Sequence, residues 1–152
     1  MLGWREFDKS AHTIAAAGCR LLKAQEVAFL ATTSATGRPR IHPFVPRIVD
    51  CRLVAFIMDS SPKYTDLCDR KQYAIHAQPG PLDEEFFISG EADQCNNDRR
   101  LRLKAETAMG FATGIDDHHI LFEFKFDRAL WTTWLDFATE NHRPKYTRWQ
   151  LK

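Results

Sequence analysis

Toward the C-terminal end of the chain Ile120, Phe122, Phe124 and Phe126 alternate with Glu123, Lys125 and Asp127. A helix repeats its faces every 3.6 residues and cannot separate these two sets, whereas a strand with one face in a core separates them completely. The run continues into ALWTTW, so this strand is long, and it needs partners. The rest of the sequence supplies them. Val27–Thr33 is a short apolar run closed by Ala-Thr-Gly-Arg, which predicts a buried strand and a hairpin turn around Gly37. Leu53–Met58 and the run YAIHAQ read as further strands. Between Glu84 and Gln94, Phe86, Ile88 and Ala92 oppose Phe87, Ser89, Glu91 and Asp93, the pattern of a strand with one wet face.

The segment PRIHPFVPRIV also alternates, with Ile41, Val45 and Val49 on one face and Arg40, His42 and Phe44 on the other. Pro43 and Pro46 remove amide donors, so at least one side of this strand is unpaired and open to an edge or a cleft. Asp50-Cys51-Arg52 turns the chain into the next strand. The count is six strands, joined mostly by hairpin-length turns, with one helix between the third and fourth. The predicted fold is mainly β: a six-stranded antiparallel barrel with flanking helices.

Helical spacing appears in three places. Ala11, Ile14, Ala15, Gly18, Leu21, Leu22 and Gln25 share one side of a helix over residues 10–25 that lies across the mouth or flank of the sheet. Asn96-Asn97 caps a helix from Asp98 to about Met109, and Gly110 and Gly114 loosen the chain beyond it. Ser61 stands as N-cap and Pro62 at the first position of a helix that ends near Arg70.

That third helix carries Lys63 in its first turn, where the helix dipole and free amides favour an anion rather than a cation. Ser61, Lys63 and the free amides together suit a phosphate. Alternatively Lys63 points into water, since a wrong-end charge costs only about 0.3–1 kcal/mol. Composition decides where an anion site could come from. With 152 residues, 44% hydrophobic and 27% charged, the chain is of single-domain length and globular. Its net charge of +1 provides no global field for nucleic acid or an anionic membrane, so an anion site must be local. No apolar run approaches a bilayer span and the N-terminus MLGWREFDKS lacks an apolar secretion core, which predicts a cytoplasmic protein with no membrane partner. Cys19, Cys51, Cys68 and Cys95 have neither C-x-x-C nor zinc spacing and are expected as free thiols. His118-His119 beside Asp116-Asp117 invites a metal, but adjacent strand residues point to opposite faces, so the group reads as a solvated strand start and no metal is expected. No hydrolytic constellation stands out.

The order of VAFLATTSATGRPRIHPF, LVAFIMDSSPKYTDL, YAIHAQ, EEFFISGEADQ and LFEFKFDRALWTTW resembles the FMN-binding split β-barrel of the pyridoxamine 5′-phosphate oxidase-like superfamily over most of the chain. The resemblance implies that Ser61 and Lys63 hold the phosphate of FMN. Pro62 stands where the oxidases commonly have an arginine, so Arg40 is the candidate to compensate. It implies that the isoalloxazine lies along Arg40, His42, Pro43, Phe56 and Ile57, the last at a position where the family often has threonine. It further implies a homodimer with cofactor sites at the subunit interface, Glu85 near the ring and Trp131 and Trp134 reaching the partner's flavin; both tryptophans equally fit a core. The chemistry implied is FMN-dependent oxidoreduction of a small organic substrate. Alternatives on the same fold are a deazaflavin-dependent reductase, or a non-catalytic module holding flavin or haem, with His42, His76 or His118 as ligand. The C-terminal HRPKYTRWQLK lacks the substrate-binding pattern of true pyridoxamine phosphate oxidases, so vitamin B6 synthesis is not expected.

Overall fold

A computed structural model describes residues 1–95, 97–111 and 113–152. Its strands are β1 (Ala28–Thr33), β2 (Pro39–Phe44), β3 (Arg47–Val49), β4 (Arg52–Met58), β5 (Gln72–His76), β6 (Glu85–Gln94), β7 (His119–Leu135) and β8 (Arg143–Gln150). The helices are α1 (Trp4–Ser10), α2 (His12–Ala24), α3 (Pro62–Arg70) and α4 (Arg99–Ala108). All strand pairs are antiparallel, in the order β2-β1-β5-β6-β7-β4-β3, with β8 also on β7.

The two ends of that order, β2 and β3, are consecutive in the chain and separated only by Val45 and Pro46. The sheet therefore rolls up and is joined at its seam by the covalent chain, not by a ladder, which makes it a split barrel. Proline explains the seam. Pro46 has no amide donor and Pro43 removes another, so the single strand expected from Pro39 to Val49 bends and changes partner, pairing with β1 before the bend and with β4 after it. The alternation survives within β2: Arg40, His42 and Phe44 stand opposite Thr32, Leu30 and Ala28. Across the bend it does not, because Ile41 and Val45 are exposed while Val49 is buried.

The seventeen-residue β7 serves three partners in turn: β4 along His119–Glu123, β6 along Phe122–Thr132 and β8 along Arg128–Leu135. Opposite Ser89 and Gly90 the register slips and Asp127 is the extra residue, so the core-facing set changes from Phe122, Phe124 and Phe126 to Ala129 and Trp131. Gly90 is required there, since a Cβ would come within 2.2 Å of the Lys125 carbonyl oxygen. Two elements exceed the sequence expectation. The C-terminal strand β8 is masked by Arg143, Pro144 and Lys145, and only Trp149 reaches inward, 4.9 Å from Phe7. The helix α1 is set by Trp4 and Phe7, which pack edge-on with Phe126 at 5.9 and 4.8 Å. Ala11 separates α1 from α2, which is the helix expected over 10–25, and α2 presses Gly18 onto the ring of Phe86.

The barrel interior is filled by side chains such as Leu30, Ile57, Ile75, Ile88 and Phe124, all with no exposed surface. A smaller core, Val49, Val54, Leu101, Ala105 and Leu121, lies on the opposite face of β4 and β7 beneath α4. The cap of α4 is Asp98, whose carboxylate accepts from the Leu101 amide; of the expected Asn96-Asn97 cap, Asn97 lies before the helix and Asn96 is outside the described residues. Arg52 ties this layer down by donating to Asp98 and Glu123, both at 2.7 Å. The four cysteines are free.

Candidate functional site

The seam leaves a gap between β2 and β4, and the strand-to-helix corner Asp59–Pro62 fills one end of it. Ser61 occupies the cap position with extended backbone (φ −86°, ψ 146°), yet its hydroxyl donates back to the Met58 carbonyl at 2.7 Å instead of capping the helix. The first-turn amides of α3 consequently lack a side-chain acceptor. Lys63 projects from that turn, half-buried, and makes no ion pair among the described residues. Burial alone lowers its proton affinity below the ordinary lysine value.

A cleft of about 410 Å³ opens beside Lys63. One wall is Phe44 and Val45 from the end of β2 together with Phe56 and Met58 of β4, and the floor at the corner is Ser61 and Lys63. The opposite wall comes from the segment after α4: Met109, Phe111, Ile115 and His119. Phe111 meets Phe56 edge-on at 6.3 Å. This wall is fastened by Arg102, which donates to the carbonyl oxygens of Ile115, Asp116 and His119, pairs with Glu106 at 3.0 Å, and lies over the Phe56 ring. The cleft is thus lined mainly by apolar side chains, with the desolvated Lys63 at one end and the Glu26–Arg47 pair, 4.0 Å apart, also on its wall.

Behind Lys63 lies a polar cluster built on Asp66, only 3% exposed. Thr32 donates to Asp66 at 2.7 Å, and one guanidinium nitrogen of Arg40 reaches both carboxylate oxygens at 3.1 and 3.2 Å. His42 Nε2 is 3.4 Å from the Thr32 hydroxyl. Burial, and then the nearby Lys63 charge, push the His42 proton affinity below its ordinary value.

Of the residues singled out in the sequence, Phe56, Ser61 and Lys63 line the cleft together. Arg40 and His42 adjoin it, but Arg40 is committed to Asp66 rather than free at the phosphate corner. Ile57 is fully buried in the barrel interior, because odd-numbered residues of β4 face inward and only Phe56 and Met58 face the cleft. Pro43 is exposed and opposite Phe29 on the outer face of the sheet. Glu85 starts β6 opposite Thr132, and the neighbouring Glu84 is the engaged carboxylate, paired with Arg20 at 2.8 Å and accepting from the Trp131 indole at 2.6 Å. Trp131 packs against the barrel core, and Trp134 donates to the Asp83 carbonyl and sits 5.7 Å from His142. Neither tryptophan lines the cleft of its own chain. His76 is bonded to the Ala77 carbonyl and His118 to Asp59. Among the described residues no three His, Cys, Asp or Glu side chains converge as a metal would need.

Sequence reading missed Asp66 and Phe111, and it took Asp116 and His119 for part of a solvated strand start. Asp66 follows Lys63 by three positions and shares its helix face, a signal that was available. Phe111 and His119 reach the cleft, with Asp116 bonded to His119, through packing of the segment that Arg102 of α4 clamps, which no local pattern encodes.

No protein-family profile matches the chain, and no curated protein does. In three dimensions it is similar to a NimC/NimA family protein from Clostridium acetobutylicum, with 13% identity, 93% of this chain and 98% of that one covered, and a TM-score of 0.69. It is similar to a pyridoxamine 5′-phosphate oxidase-related, FMN-binding protein from Nostoc punctiforme PCC 73102, at 13% identity, 93% and 96% coverage and a TM-score of 0.65. It is also similar to a heme-binding protein from Mycobacterium smegmatis, at 16% identity and a TM-score of 0.63, where 85% of this chain spans 55% of that one. No helix is long and apolar enough to cross a membrane among the described residues. With its rolled antiparallel sheet, proline-bent seam and flanking helices, the chain has the pyridoxamine 5′-phosphate oxidase-like split-barrel fold.

Proposed function

We propose that this chain binds FMN in the cleft at the seam, with the phosphate at Ser61, Lys63 and the first-turn amides of α3, and acts as a flavin-dependent oxidoreductase on a small organic substrate. The observation that carries the reading is Lys63: a half-buried cation with no carboxylate partner among the described residues, at a helix N-terminus, asks for an anionic ligand. The apolar lining, from Phe44 and Phe56 on one side to Met109 and Ile115 on the other, suits a planar ring system. A bound flavin supplies the hydride chemistry, and the protein supplies orientation and charge around it. Arg40 is the reserve cation, held one residue layer back by Asp66.

The same reading includes a homodimer. Phe29 and Ile41 are 41% and 72% exposed on the outer face of β1 and β2, beside Pro43, and β2 ends at Phe44, which with Val45 forms part of the cleft wall. A second copy over this face would cover apolar surface and reach the cofactor, and Trp134 at the β7–β8 hairpin is the tryptophan free of the core to do so. Sedimentation of the wild type and of Ile41→Glu tests this: a dimer converted to a monomer is expected, and a wild type that sediments as a monomer sinks it.

The cofactor is tested by absorbance of the purified and then denatured protein and by parallel titration with FMN and riboflavin. FMN is expected to bind at least ~10-fold more tightly, because a charge-assisted contact to phosphate contributes about 1.5–3 kcal/mol. Equal binding of the two would refute the phosphate corner. A released deazaflavin keeps the corner and changes the ring, whereas a Soret band with no flavin uptake replaces the reading with haem.

A further inference from the structure

The two histidines at the start of β7 have opposite fates. His118 is 76% exposed and paired with Asp59, whereas His119 turns to the other side and lines the cleft. Its side chain is 27% exposed, it faces Met58 across the β4–β7 register, and its Nδ1 is 2.7 Å from the Asp116 carboxylate. With Nδ1 committed, Nε2 is the nitrogen left for a ligand, and it has no hydrogen bond among the described residues. The mount is rigid, since Arg102 grips the carbonyl oxygens of Ile115, Asp116 and His119 itself, while Asp116 also accepts from the His118 amide. The His119 contact and the His118 amide hold Asp116 below the usual carboxylate range, so it stays ionised and can stabilise an imidazolium. An oriented imidazole with a carboxylate behind it and an apolar cleft in front is the arrangement that moves protons.

The geometry points to His119, positioned by Asp116, as the proton donor and acceptor for the ligand in this cleft. The inference rests on the flavin reading and names its substrate class: an acceptor with a polarised double bond ending in oxygen or nitrogen. A reduced flavin held in the cleft would supply the hydride that bonds to the carbon end of that double bond. The π pair moves to the heteroatom, which takes the proton from His119 Nε2; neutral His119 is then reprotonated from water. In the reverse direction His119 takes the proton. The other charges that face the cleft are Lys63 from α3, Arg47 from β3 and Glu26 before β1, while Arg102 and Glu106 of α4 neutralise each other behind it.

Two measurements on the full-length protein test this. Side-chain ¹⁵N NMR of the unliganded protein reports the His119 tautomer directly: an Nδ1–H form that is lost in Asp116→Ala is expected, and an Nε2–H form indifferent to Asp116 overturns the positioning. Anaerobic oxidation of the FMN-loaded, chemically reduced protein by a quinone, an enone and an imine then reads the proton. His119→Ala is expected to slow the responsive acceptor about 100-fold, to flatten the pH profile, and to regain rate with added imidazole. His119→Gln should not recover. Unchanged rate and pH profile in His119→Ala, or no reaction of the wild type with any of the three, overturns the inference while FMN binding stands. Failure to bind FMN at all overturns the flavin reading and the substrate class with it.

Discussion

Replacing Lys63 with methionine should move stability and affinity in opposite directions. In the unliganded protein the ammonium is half out of water, has no carboxylate within ion-pair distance among the described residues, and stands at the positive end of the α3 dipole. Removing a wrong-end charge recovers about 0.3–1 kcal/mol, and methionine keeps the apolar stem against Phe56 and Met58. For a chain of this length ~1 kcal/mol corresponds to roughly 2–4 °C, so the melting temperature of apo Lys63→Met should rise by up to that amount. Its pH dependence follows from the same shift. Because the folded state depresses the lysine's proton affinity, the unfolded state holds the proton more tightly, and wild-type stability increases as pH climbs through the folded value toward 10.5. The variant should lack that alkaline gain. With FMN the order reverses: loss of a charge-assisted phosphate contact of ~2 kcal/mol weakens binding about 30-fold, while riboflavin, which has no phosphate, is unaffected. Differential scanning fluorimetry from pH 7 to 10 and flavin-fluorescence titrations measure both halves. A lower melting temperature for the variant, or an FMN Kd within threefold of wild type, would show that Lys63 is an ordinary structural lysine.

Asp66→Asn should release Arg40 and, since Thr32 can still be bonded, cost only about 1–2 kcal/mol by urea denaturation; an Asp66–Arg40 double-mutant cycle with no coupling would show the pair to be incidental. Two histidines should tilt the pH–stability curve in opposite senses. His118 is drawn up by Asp59, so its contribution is complete below about pH 6.5 and lost as pH rises through its folded value, whereas His42 is pushed down by burial and Lys63, so stability is lost as pH falls from about 6.5 through its folded value. His118→Gln and His42→Gln melts between pH 5 and 8 should each flatten their own side. Gly18→Ala would place a Cβ 2.3 Å from the buried Phe86 ring, and Gly90→Ala one 2.2 Å from the Lys125 carbonyl; each should destabilise by about 1–3 kcal/mol or more in urea. Gly37→Ala instead meets open space and suffers only from its left-handed backbone, φ 79°.

Local periodicity was a sufficient guide wherever one residue's neighbours in sequence are also its neighbours in the fold. The Phe122–Phe124–Phe126 stripe, the Ala28–Thr33 run and the Ser61-Pro62 corner all became the elements their patterns predict, because pleat, turn and helix start are set by steric and hydrogen-bonding preferences within a few residues. The prolines of PRIHPFVPRIV announced an unpaired edge, and that edge became the seam of the barrel. Lys63 was legible for the same reason, as a conflict between a side chain and its own helix end.

What needed the tertiary structure was everything decided by contact between distant segments. Whether Arg40 is free or bound depends on Asp66, twenty-six positions away on another element. Ile57 and Phe56 are adjacent, and only the side of β4 covered by α4 tells which one faces the cleft. His118 and His119 looked like one solvated pair, yet the β4–β7 register and the Arg102 clamp send one to water and the other into the cleft wall. Sequence alternation fixes that neighbours point apart; which of the two directions is inside is a property of the packed sheet, and the site at its seam exists only once the chain has closed around it.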